Sequence, residues 1–129
     1  MRLFIVEDLP PVRAALRQIA EDHQHVVVGE AENGKEALDL IPDAQMDVVL
    51  LDISMPVMGG FETARELKRI APQLPILFIS QHASVDYIQE AFRLGARGYL
   101  LKSAIFSELN EALEAIRNNR TYGPPASSG

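Results

Sequence analysis

The sequence predicts an α/β fold, a doubly wound five-stranded parallel sheet with helices on both faces, and three observations carry that prediction. Five short apolar runs, at residues 3–6, 26–28, 48–51, 76–79 and 99–101, show no polar alternation, as expected of strands buried on both faces. A stretch with apolar residues at helical spacing follows each run, and strict strand–helix alternation implies parallel strands joined by right-handed crossovers. At 129 residues, 47% hydrophobic and 23% charged, the chain is long enough to bury one core and too short for two.

The elements follow in order. Strand one is Leu3 to Val6, closed by Glu7 and Asp8. Pro10 and Pro11 suit the first turn of a helix, where a missing N–H costs nothing, and Val12, Leu16, Ile19 and Ala20 continue it to about Asp22. Val26, Val27 and Val28 are β-branched neighbours without helical period, followed by Gly29, and form strand two. Asn33 with Glu36 three residues on has the pattern of a capping box, and Ala37, Leu38 and Ile41 give that helix its apolar stripe before Pro42. Val48 to Leu51 is strand three, ending in Asp52. Phe61, Ala64, Leu67 and Ile70 mark the inner face of helix three, which Pro72 stops. Ile76 to Ile79 makes strand four, ending in Ser80. Ser84 caps a helix with Ile88, Ala91 and Phe92 inside, and Gly95 falls near its end. Tyr99 to Leu101 is strand five, Lys102 follows at once, and Phe106, Leu109, Leu113 and Ile116 outline the last helix to about Asn119.

Composition excludes several function classes. Without cysteine there is no disulfide framework and no thiolate metal site, which fits a reducing compartment, and cytoplasm is the expected location. The apolar run at the amino terminus is too short for a signal peptide or a membrane span, so no membrane partner is expected. Twelve basic side chains are scattered among eighteen acids, for a net charge of −6, which disfavours direct nucleic-acid binding by this segment.

The informative pattern lies where the strands end. Glu7 and Asp8, Asp52, Ser80 and Lys102 each directly follow an apolar run, so four of five parallel strands deliver a polar group to one edge of the sheet. In open α/β sheets that carboxyl edge is where ligands bind. Two other motifs are weaker. Gly29 to Lys35 has the spacing of a phosphate-binding loop, but Glu36 stands where a hydroxyl should hold a metal, and Glu30 and Glu32 would repel phosphate, so a turn and helix cap is the better reading. His23, His25 and His82 share no spacing with a fourth ligand and read as surface histidines.

Together, Glu7-Asp8, Asp52 with Met55-Pro56, Ser80, Tyr99 and Lys102 resemble a response-regulator receiver domain of the CheY-like fold, over residues 1–120, with residues 121–129 composed like a linker or tail. The run Gly95 to Lys102 and the Ser80-x-His82 pattern are most similar to the NarL/FixJ group of LuxR-type transcriptional regulators. The resemblance implies the strand order 2-1-3-4-5. It further implies that Asp52 accepts a phosphoryl group from a sensor histidine kinase, with Lys102 and Ser80 assisting. Ser80 and Tyr99 would act as the switch, Tyr99 turning into space that Ser80 vacates. Such a protein is a phosphoacceptor switch that catalyses its own phosphorylation and dephosphorylation, not an enzyme with a turnover substrate. Its implied output is a helix-turn-helix DNA-binding domain outside this chain, with a phosphorylation-dependent homodimer.

The chemistry agrees. Three carboxylates at one edge repel one another unless a hard cation sits among them, and magnesium suits one or two carboxylates with water and phosphate oxygens. Asp8 and Asp52 are the best direct ligands; the resemblance adds Glu7 through water and the backbone carbonyl of Ser54. A phosphatase of the haloacid dehalogenase type would place a second aspartate two residues beyond its nucleophile, where this chain has Ser54, and a phosphorylation-independent binding module would not need Asp52, Ser80 and Lys102 together. Three positions depart from the family pattern. Gly59 stands where many receivers have aspartate, Ser103 replaces the usual proline and leaves either isomer of the Lys102–Ser103 bond open, and Gln81 follows Ser80 where a small residue is common. Gln81 and His82 are expected to border the site's mouth and slow entry of donor and water.

Overall fold

A computed structural model of the chain describes residues 1–124. Its elements are β1 (Arg2–Val6), α1 (Pro10–Asp22), β2 (Val26–Ala31), α2 (Gly34–Leu40), β3 (Val48–Asp52), α3 (Gly60–Ile70), β4 (Ile76–Ser80), α4 (Val85–Arg93), β5 (Gly98–Leu101) and α5 (Ile105–Arg117). Short 3-10 turns at Ile41–Asp43 and Lys102–Ala104 follow α2 and precede α5. The five strands form one parallel sheet in the order β2-β1-β3-β4-β5, so the predicted fold class and strand order both hold.

Period-two alternation divides the core into two layers. Leu3, Ile5, Val48, Leu50, Leu77 and Ile79 face α1 and α5, where they meet Leu16, Ile19, Leu109 and Leu113. Phe4, Val6, Val49, Leu51 and Phe78 face the other way, onto Ala37, Ala64, Leu67, Ile88 and Ala91 of α2, α3 and α4. β3 is central, and every one of its residues is buried. That placement is what carries the Asp52 carboxylate into the interior instead of into solvent.

The local signals act as their chemistry requires. The Asn33 side chain accepts the Glu36 N–H at 2.9 Å, closing the start of α2, so the Gly29–Lys35 segment is the end of a strand and a helix cap. β2 runs three residues past Val28, with Gly29 inside it, where a Cβ would overlap the Phe4 ring of the neighbouring strand. The Lys102–Ser103 bond is trans, as are all peptide bonds among the described residues.

Ile70, expected on the inner face of α3, and Val26, on the edge strand β2, are exposed, and three further side chains sit differently from expectation. Phe106 is 77% exposed, and the inner stripe of α5 begins one residue earlier, at Ile105, continuing through Leu109, Ala112, Leu113 and Ile116. One residue is 100° of helix, enough to carry Phe106 off the stripe set by Leu109 and Leu113. His25 is buried, not a surface histidine: its Nε2 pairs with Asn110 Oδ1 and its Nδ1 with the Met1 amino group, both at 3.0 Å. Tyr122, in the segment read as linker or tail, forms a parallel bridge with Gly98. The other tail residues after 124 lie outside the described residues.

Candidate active site

The carboxyl edge of the sheet gathers the groups that the strand ends deliver. Asp52 closes β3 and is 3% exposed; Glu7, directly after β1, is fully buried; Asp8 is half-buried beside them. Carboxylate oxygens of Glu7, Asp8 and Asp52 lie within 4.8 Å of one another. Lys102 reaches in from the end of β5, its Nζ 3.3 Å from Asp52 Oδ2 and 3.1 and 3.2 Å from the two oxygens of Glu7. Leu9 N–H donates to Glu7 Oε2 at 3.2 Å, and Arg13 donates to the Glu7 carbonyl at 2.7 Å, so α1 fixes the loop that carries the acids.

Electrostatics mark Asp52 as the strained member. Burial first, and the neighbouring Glu7 charge second, raise its pKa to about 7, against the opposing pull of Lys102. At Lys102 burial favours loss of the proton, but the Asp52 and Glu7 charges outweigh it and the ammonium is held more firmly than usual. Three carboxylates facing one ammonium leave two negative charges uncompensated when all are ionised. Glu7 Oε1, although within ion-pair distance of Lys102, has no hydrogen-bond donor. A buried, under-satisfied oxygen in a cluster two charges short fits a small divalent cation with oxygen ligands, held by Asp8, Asp52 and Glu7.

Opposite this cluster lies a second group centred on His82. Ser80, fully buried at the end of β4, accepts the His82 backbone N–H at 2.9 Å, and the His82 carbonyl accepts the Tyr99 hydroxyl at 2.6 Å. The His82 ring crosses to the β3–α3 loop, where a 2.9 Å hydrogen bond joins its Nε2 to Ser54 Oγ. That ring stacks on Tyr87 of α4 with centroids 4.1 Å apart and 17° between planes. Ser80, Tyr99 and Ser54 are thus all tied to one residue. Gln81, by contrast, is exposed.

Glu7, Asp8, Asp52, Ser80 and Lys102, expected at this edge from the sequence, all meet there, while Tyr99, expected within strand five as a switch residue, pairs with Phe78 inside the sheet and reaches the β4–α4 loop through its hydroxyl. His82 was expected at the surface by the mouth, and Ser54 through its carbonyl alone. The available signal was position: His82 is two residues past a strand-end serine, where a loop must turn across the sheet edge. Tyr87, on the exposed start of α4, carried no signal.

Comparison with known proteins bears directly on this arrangement. Residues 3–114 match the family model described as the response regulator receiver domain. The chain is 33% identical over 126 residues to the uncharacterized transcriptional regulatory protein YvfU of Bacillus subtilis, covering 96% of this chain and 63% of that protein. It is 33% identical over 123 residues to the response regulator UvrY of Escherichia coli, covering 95% of this chain and 56% of that protein. The chain therefore spans about three fifths of the length of these curated relatives. Among solved structures, it is similar to a LuxR-family two-component response regulator from Aurantimonas sp. SI85-9A1, with TM-score 0.92, 33% identity, and coverage of 98% of this chain and 91% of that one. It is also similar to the isolated receiver domain of RcsB from Salmonella enterica serovar Typhimurium, with TM-score 0.90, 26% identity, and coverage of 99% and 96%.

Proposed function

The chain belongs to the response regulator receiver family, and from that premise we propose that Asp52 is its phosphoacceptor, receiving a phosphoryl group from the phosphohistidine of a sensor kinase. The observation that carries this reading is the placement of Asp52: a buried carboxylate at a strand end, 3.3 Å from Lys102 and clustered with Glu7 and Asp8. A neutral Asp52 is a poor nucleophile, and the raised pKa means the group needs positive charge nearby to ionise and attack. Magnesium held by Asp8 and Asp52, with Glu7 through water and the Ser54 carbonyl, would neutralise that charge and orient phosphoryl oxygens.

In the transfer an Asp52 carboxylate oxygen forms a bond to phosphorus as the phosphorus–nitrogen bond of the donor breaks, the imidazole leaving with the electron pair. Lys102, already poised between Asp52 and Glu7, pairs with a phosphoryl oxygen as a point charge. The Ser80 hydroxyl donates to another. Ser80 accepts the His82 N–H and keeps its own proton, which faces the Tyr99 hydroxyl until the phosphoryl oxygen takes that bond. Water attacking the same phosphorus in line returns Asp52 to its starting form, so the chain acts on itself in both directions.

The readout runs through Ser80, His82 and Tyr99. A Ser80 hydroxyl turned to phosphate shifts the backbone of His82, to which Tyr99 is bonded, and so alters the face made by α4, β5 and α5. A DNA-binding output fits relatives named as transcriptional regulators, and a phosphorylation-dependent homodimer fits the RcsB structure described as dimers bound to DNA. Cytoplasm is the matching location; among the described residues no helix is long and apolar enough to cross a membrane. The test is labelling of wild type and Asp52→Asn by a small phosphoryl donor with and without magnesium. Label in wild type with magnesium alone is the expected result; equal label in Asp52→Asn overturns the assignment.

A further inference from the structure

After α5 the chain folds back onto the sheet. Asn119 adopts a left-handed conformation, φ 60°, and Arg120 N–H donates to the Ala115 carbonyl at 2.8 Å, which reverses direction. Tyr122 then lies alongside β5 as an added parallel partner: its N–H donates to the Arg97 carbonyl at 2.9 Å and its carbonyl accepts the Tyr99 N–H at 2.8 Å. Its ring packs on the core layer of α1 and α5. Its hydroxyl donates to Glu108 of α5 and lies 3.4 Å from Glu111.

Two features show that the sheet edge is shaped for this segment. A Cβ on Gly98 would stand 2.7 Å from Leu77 and 3.2 Å from the Tyr122 carbonyl, so the close approach needs glycine there. Burial and the two α5 acids hold the Tyr122 phenol in its protonated, donating form.

We propose that the outer edge of β5, with Glu108 and Glu111 of α5, is a docking site for the chain's own segment after α5, anchored by Tyr122 and coupled to Tyr99 through their shared backbone bond. Docking rests on the geometry alone; the coupling to phosphorylation rests on the phosphoacceptor reading of Asp52. The segment so held lies along β5, beside the face that Tyr99 alters.

Amide hydrogen exchange on the whole chain tests this, read as the ratio of the Tyr99 rate to that of Leu50 in the sheet centre, so that a general loss of stability does not imitate undocking. Tyr122→Ala is expected to raise that ratio about tenfold or more, and Tyr122→Phe by less, since it removes only the bond to the acids. A ratio within about twofold of wild type in Tyr122→Ala overturns the docking site. Beryllofluoride with magnesium then probes the coupling: amide resonances of Tyr122 are expected to move with those of Tyr99 and Asp52. Movement at Asp52 with Tyr122 fixed overturns the coupling. No movement at Asp52 overturns the phosphoacceptor reading and the coupling with it, while the Tyr122→Ala ratio decides docking by itself.

Discussion

The Tyr99 hydroxyl donates to the His82 backbone carbonyl at 2.6 Å, and the Tyr99 side chain is already turned inward, 1% exposed. The expected switch has Tyr99 turning into space that Ser80 vacates; here the ring is buried with its hydroxyl on the His82 carbonyl, while Ser80 is bonded to the amide of the same His82. Tyr99→Phe keeps the ring and removes the donor from a part-buried carbonyl. The expected cost is about 1 kcal/mol, read as a lower urea midpoint with unchanged slope. An unchanged midpoint would mean that water replaces the hydroxyl and the bond carries no net stability.

A second prediction concerns pH. Asp52 has a folded pKa raised to about 7 from its ordinary value of 3.8, so in the absence of divalent cations the native state binds a proton more tightly than the unfolded chain. The contribution is fully present below about pH 4 and is lost as pH rises toward 7 and above. Stability of the cation-free protein should therefore fall across that window by a few kcal/mol, as judged from chemical denaturation at several pH values. Asp52→Asn should flatten the fall, and magnesium should reverse it near neutral pH. A wild-type profile parallel to that of Asp52→Asn would remove Asp52 as its origin.

Val57 supplies a third. It sits in the β3–α3 loop at φ 69°, a region that β-branched residues rarely occupy, 76% exposed, with Met58 N–H donating to the Pro56 carbonyl at 2.7 Å around it. Val57→Gly removes the steric strain, which favours the native state, but loosens the unfolded chain, which opposes it. The strain is the larger effect, so the expected result is a net gain of about 1 kcal/mol in thermal or chemical unfolding. A loss of stability would show that the loop is relaxed as it stands.

What could be read from the sequence, and what could not, follows from the range of the forces involved. The strands were legible because a two-sided buried strand must be apolar at every position, and Val48 to Leu51 is; Asp52 then stood out by contrast. The helix starts were legible where a side chain closes them, as Asn33 and Ser84 do. On α5 only the first member of the stripe was misplaced, Phe106 for Ile105, because the helix starts from the 3-10 turn Lys102–Ala104, which no local pattern announces; Leu109, Leu113 and Ile116 are buried as expected. His82, His25 and Tyr122 were illegible for a different reason. Their partners, Ser54, Asn110 and Gly98, lie 28, 85 and 24 residues away, and only the closed sheet brings them together.

The last prediction separates Gln81 from His82. Both were expected to obstruct the mouth of the site, with Gln81→Ala speeding phosphorylation and hydrolysis alike. In the structure Gln81 is exposed, whereas the His82 ring bridges the β4–α4 and β3–α3 loops by its hydrogen bond to Ser54 and is braced from behind by Tyr87. A braced ring between those loops can exclude the in-line water that breaks an acyl phosphate, and it hinders small donors along the same path. His82→Ala should therefore raise the rates of labelling by a small donor and of spontaneous dephosphorylation together, each by about tenfold or less, while Gln81→Ala stays near wild type. Tyr87→Ala tests the brace, because it removes the stacking surface without touching either loop, and its rates should fall between those of wild type and His82→Ala. If Gln81→Ala is the faster variant, the obstruction comes from that flexible side chain and not from the histidine bridge.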